Sequence, residues 1–217
     1  MITTRHLAAA TFVLAIAAAL TSVSAQAAAD AAFQGAAQPF AAASAGDSAA
    51  IDQAADAFEA LLRAEPANPV LMAYAGAATA MRAGTTLLPW KKMGFAEDGL
   101  AQIDKALALL TPAHDAPMQR GTPGTLDVKF VAASTFLAVP DFMNRGARGQ
   151  KLLNEVLASP LFAAAPLPFR GQVWLRAATL AAKDQRPDDA RRWLTEIVTH
   201  GAPQTEAAKA RLKELAA

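Results

Sequence analysis

From Ala54 onward, apolar residues recur along the chain in a helical rhythm. Ala54-x3-Phe58-x2-Leu61-Leu62, Gly99-x3-Ile103-x2-Ala106-Leu107, Gly149-x3-Leu153-x2-Val156-Leu157 and Ala190-x3-Leu194-x2-Ile197-Val198 share one order. A small residue comes first, a large apolar one four places later, then two apolar ones. This is a single stripe near 3.6 residues per turn, the pattern of an amphipathic helix. Proline follows each stripe at Pro66, Pro112, Pro160 and Pro203, where the ring and the missing N–H stop a helix from running on.

A different pattern precedes the last three stripes. Tyr74-x-x-Ala77-Ala78-Thr79, Phe130-x-x-Ala133-Ser134-Thr135 and Trp174-x-x-Ala177-Ala178-Thr179 each set an aromatic beside small residues at +3 and +4. On a helix those positions share the aromatic's face. They make a knob beside a shallow groove that a second helix can approach closely. The alternation of the two patterns predicts helix pairs, with Ala54–Pro66 a second helix lacking a full partner. Thr205 to Leu215 alternates charge and apolar residues at helical spacing and suits a cap over the last pair.

These patterns resemble the tetratricopeptide repeat, a helix pair with an aromatic and small residue in its first helix, A-x3-F in its second and a closing proline. The resemblance covers residues 50–203. The period departs from the family's 34 residues, because the anchors Ala54, Gly99, Gly149 and Ala190 lie 45, 50 and 41 residues apart. The resemblance implies an all-α fold: a right-handed stack of antiparallel helix pairs, an α-solenoid, with a C-terminal capping helix. It also implies a groove lined by the first helices, with Thr79, Thr135 and Thr179 facing it.

The N-terminus follows other rules. Arg5 and His6 precede an uncharged run from Leu7 to Leu20, and Val23-Ser24-Ala25 offers small residues for cleavage. The run is short for a bilayer span, so residues 1–25 read as a signal peptide cleaved after Ala25. Export to the periplasm follows, without stable membrane insertion once the leader is removed. Residues 26–47 hold Pro39, two glycines and scattered Ala, Ser and Gln; they read as a flexible tail with Phe33 and Phe40 its only large anchors. Residues 48–217 form the repeat domain.

Composition narrows the function classes. The chain has 20 basic and 19 acidic side chains and no cysteine, which argues against a nucleic-acid partner and removes disulfides and thiolate chemistry. Alanine is the commonest residue, in keeping with helix. His114 and His200 have no second ligand one turn away, so no metal or other cofactor is expected. His200, just before Gly201, reads as a helix C-terminal contact. Asp188 and Asp189 read as first-turn acids. No G-x-S-x-G, S-x-x-K or phosphate-loop motif occurs, and an enzyme is not expected.

Two connections carry more interest. In Leu87-Leu88-Pro89-Trp90-Lys91-Lys92 the apolar residues either pack onto the repeats, the usual fate of tryptophan, or engage a partner or an anionic surface. In Val139–Gly146, Phe142 reads as a plug between repeats, with Asn144 to Gly146 as the turn. The sequence therefore predicts a non-enzymatic adaptor for a protein or peptide, an envelope or transporter component among the candidates. Its contacts would be Thr79, Arg82, Thr135 and Thr179 in the groove, with Trp90, Lys91 and Lys92 at the rim. The alternative is a periplasmic small-molecule binder or hydrolase whose residues form no linear motif.

Overall fold

A computed structural model describes residues 27–215. The leader assigned to residues 1–25 lies outside them. The described chain is all-helical, without a strand: α1 over 27–44, α2 Ala50–Ala64, α3 Pro69–Met81, α4 Pro89–Ala108, α5 Gly124–Phe136, α6 Gly146–Ala158, α7 Leu167–Lys183, α8 Pro187–Thr199 and α9 Thr205–Glu214. Short 3-10 turns at Arg82–Gly84, Pro112–Asp115, Gln119–Gly121 and Asp141–Met143 join them.

Consecutive helices pack as the two patterns require: α3 on α4, α5 on α6, and α7 on α8. The small position of every second helix is buried, at Ala54, Gly99, Gly149 and Ala190, and so are Phe58, Ile103, Leu153 and Leu194 behind it. The reason is clearest where α3 crosses α4. A Cβ at Gly76 would lie 2.7 Å from the Gly99 carbonyl oxygen, and one at Gly99 would overlap the Gly76 carbonyl. The two backbones touch there, which only glycine permits.

The stretch expected to be a flexible tail is instead helical over 27–44. Phe33, Ala36, Phe40 and Ala43 fall on one face, and Phe33 is buried with 1% exposure. Its ring meets Phe58 and Tyr74 edge-on at centroid distances of 5.5 and 5.2 Å. Phe40 meets the same two rings at 5.6 and 4.9 Å, and Phe58 stacks on Tyr74. Such edge-to-face contacts add to the burial of apolar area. Pro39 removes one N–H from the helix ladder, a loss outweighed by two buried aromatics. Gly46, at φ 106, ends the helix. Helix α1 is thus the partner that the Ala54–Pro66 stripe lacked.

Helix α3 lies at the centre. Asn68 caps it, accepting from the Val70 and Leu71 N–H groups at 3.0 and 3.3 Å, and Pro69 opens it. Every residue from Pro69 to Ala78 is buried, because α2, α4 and α5 all pack on it. At the other end, α9 lies on α8 as a cap. Arg211 donates to the Thr179 hydroxyl at 2.7 Å, and Arg191 to the Leu215 carbonyl at 3.1 Å.

Candidate functional site

The residues expected to line a first-helix groove do not form a free polar surface. Arg82 donates to Asp52 at 2.8 Å, Asp56 at 2.5 Å and Glu59 at 3.5 Å, all on α2. Its guanidinium joins α3 to α2 and is fully occupied. Thr135 donates to the Val131 carbonyl at 3.0 Å and Thr179 to the Leu175 carbonyl at 2.8 Å, each one turn back in its own helix. Thr179 also accepts from Arg211. Thr79 is half-buried.

Trp90, Lys91 and Lys92 are placed differently. The anchor glycine or alanine stands three residues into α6 and α8, and four into α2, but Gly99 stands ten residues into α4. The extra residues, Pro89 to Phe95, include none that is buried. They project about 10 Å, at 1.5 Å per residue, past the packed part of the pair. Leu87 is 92% exposed and Trp90 69%, and Leu88 and Met93 are also exposed. Lys91 and Lys92 are exposed beside them and make no ion pair. Of the two fates open to this segment, presentation to solvent is the observed one.

Phe142 does not plug a gap between repeats. It is 67% exposed, because the turn that carries it is fixed in an outward pose. Asn144 takes the left-handed conformation at φ 54 and donates from Nδ2 to the Phe142 carbonyl at 3.2 Å. Just beyond the turn, Arg145 and Arg148 bind the Asp104 carboxylate at 2.9 and 2.5 Å. Both guanidinium groups lie over the Phe136 ring, 5.3 and 5.2 Å from its centroid. Between the turn and α4 runs an open groove of about 400 Å³. Helix α4 lines it with Met93, Glu97, Leu100, Ala101 and Asp104, and the turn with Phe142, Met143 and Arg145. Glu97 is exposed at its edge and makes no ion pair. The arrangement offers two apolar walls and a carboxylate, which suits holding a segment rather than chemistry.

Sequence reasoning missed one polar cluster. Tyr74, the only tyrosine, donates to Asp127 Oδ1 at 3.0 Å and accepts from Arg120 at 2.7 Å. Arg120 stands 3.9 Å from Asp127 Oδ2, and its guanidinium lies 5.0 Å from the Phe33 ring centroid. A left-handed backbone at φ 57 aims it there. The cluster joins α1, α3 and α5. Burial pushes the Asp127 carboxyl up to about 6, against the opposing pull of Arg120 and the Tyr74 hydrogen bond. Burial and the nearby carboxylate also raise the Tyr74 phenol. The clue available in sequence was Asp127 itself, an acid set between Leu126 and Val128.

The histidines hold structural positions. His200 ends α8, with Nδ1 2.9 Å from the Glu196 carbonyl, and His114 closes a capping box with Thr111. Among the described residues no three His, Cys, Asp or Glu side chains cluster to hold a metal, and no helix is long and apolar enough to cross a membrane. No protein-family model matches the chain, and no curated protein or solved structure matches it.

Proposed function

We propose that the protein is an exported, non-enzymatic adaptor that holds a protein or peptide partner in the cell envelope. The observation that carries the reading is the groove between α4 and the Phe142 turn, with exposed apolar walls. A partner segment with an apolar anchor fills such a groove, and a basic residue beside the anchor meets Glu97. The scaffold behind it is, in this reading, a right-handed stack of tetratricopeptide-like pairs, four with α1 and α2 counted. Cleavage after Ala25 leaves the whole of 27–44 with the mature protein, as a structural α1 requires.

The buried Tyr74–Asp127–Arg120 cluster gives less support to a hydrolase, since it does not line the groove. The test places a photo-crosslinking residue at Met93 or Phe142 in cells. One partner captured in near-stoichiometric yield, and lost when Ala101→Trp fills the groove, is the expected result. Capture that ignores Ala101→Trp, or no capture at all, overturns the reading.

A further inference from the structure

We infer that the overhanging start of α4 is a contact site for an anionic lipid surface. The inference does not rest on the groove, whose walls lie farther along the helix. Five large apolar side chains are exposed among the described residues, and four of them, Leu87, Leu88, Trp90 and Met93, fall within seven residues. A cluster this dense on a projecting element marks a surface that works against something apolar.

Charge selects the occupant. Between Glu65 and Glu97 the chain has no carboxylate, and its three cations are Arg82, Lys91 and Lys92. Arg82 is neutralised by the acids of α2. Lys91 and Lys92 keep unpaired charge within the first turn of α4, where no acid offsets it and the helix end is itself positive. At about 100° per residue, they stand to either side of Trp90. Tryptophan belongs at headgroup depth, leucine just below it and lysine at the phosphates. A protein partner would more usually be met by tyrosine and arginine with few lysines. Since no described helix can span a bilayer, the contact is interfacial.

The chain beginning at Gln26 retains every described residue and removes the apolar leader from the assay. It is sedimented with vesicles of equal parts phosphatidylcholine and phosphatidylglycerol, and with pure phosphatidylcholine. Strong binding to the first and weak binding to the second is expected. Lys91→Glu with Lys92→Glu should weaken binding by roughly thirtyfold or more, since each lysine near an anionic surface contributes about a fivefold factor. Leu87→Ser with Trp90→Ser should weaken it at least tenfold, while Ala101→Trp in the groove should leave it unchanged. Because the chain has no cysteine, a fluorophore on Leu87→Cys reports the site directly; its emission should shift blue on anionic vesicles, and that of Gln150→Cys on exposed α6 should not. No binding to anionic vesicles, or binding indifferent to the four tip substitutions, overturns the inference. So does a dimer that the Trp90 variant dissociates, which would assign the tip to a second copy.

Discussion

Helices α4 and α8 carry the same buried stripe, yet they end in opposite ways. In α8 the first turn lies close to the packed anchor Ala190 and is laced with ion pairs: Arg186 to Asp189, Arg191 to Asp188 and Arg192 to Asp189. Its acids suit the positive helix end. In α4 the first two turns precede the anchor, make no ion pair and place two lysines where the dipole disfavours them. One helix start is finished as a surface facing water. The other has its apolar groups and its charge left uncompensated, as a contact site awaiting a counterpart would. The difference lies in a seven-residue extension and not in the stripe itself.

Breaking the packed part of the molecule should have the largest effect. Phe33→Ala should destabilise the fold by about 3–5 kcal/mol in chemical denaturation; a detachable tail would lose almost nothing. Gly99→Val should lose about 3 kcal/mol, since its side chain meets α3 backbone that cannot move aside. The same denaturation series measures it against Gly94→Val, whose site is open.

Asp127→Asn sharpens the contrast through pH. The folded carboxyl is raised to about 6, above the ordinary aspartate value near 4. The folded chain therefore binds this proton more tightly than the unfolded one. The stability it contributes is full below about pH 4 and is lost as pH rises through about 6. The parent protein should gain stability relative to Asp127→Asn on acidification across that window, seen by thermal denaturation at several pH values. Equal slopes for the two proteins would remove the role given to this carboxyl.

Smaller effects come from the surface. Arg82→Glu should lose on the order of 1 kcal/mol, because the acids it binds are largely exposed. Trp90→Ser should stay within about 0.5 kcal/mol of the parent, since its side chain meets little but water. A large loss at Trp90 would mean that the overhang packs after all.

The second-helix stripes were legible because burial at a close crossing demands a small residue, and Gly99, Gly149 and Ala190 show that demand directly. The His200 end contact and the α9 cap were legible for similar local reasons. Helix α1 was not, although Phe33-x-x-Ala36-Ala37 repeats the aromatic-and-small pattern of Tyr74. Gly35 and Pro39 obscured the period. Arg82 was misplaced because its three acids lie 23 to 30 residues away, and Tyr74 finds Arg120 and Asp127 only 46 and 53 residues on. The overhang was hidden for another reason. Hydropathy says that Leu87 and Trp90 favour burial, but not where the neighbouring helix stops.

The touching backbones at Gly76 and Gly99 also make α4 a lever. Trp90 lies nine residues before that fulcrum and Asp104 five residues after it, which is about 14 Å against about 8 Å along a rigid helix. Tilting the helix at its outer end moves Asp104 in the opposite sense by a little over half as much. Asp104 is the residue that clamps Arg145 and Arg148 and forms one side of the groove. Whatever seizes the tip therefore does mechanical work on the groove, and the width of one is geared to the position of the other.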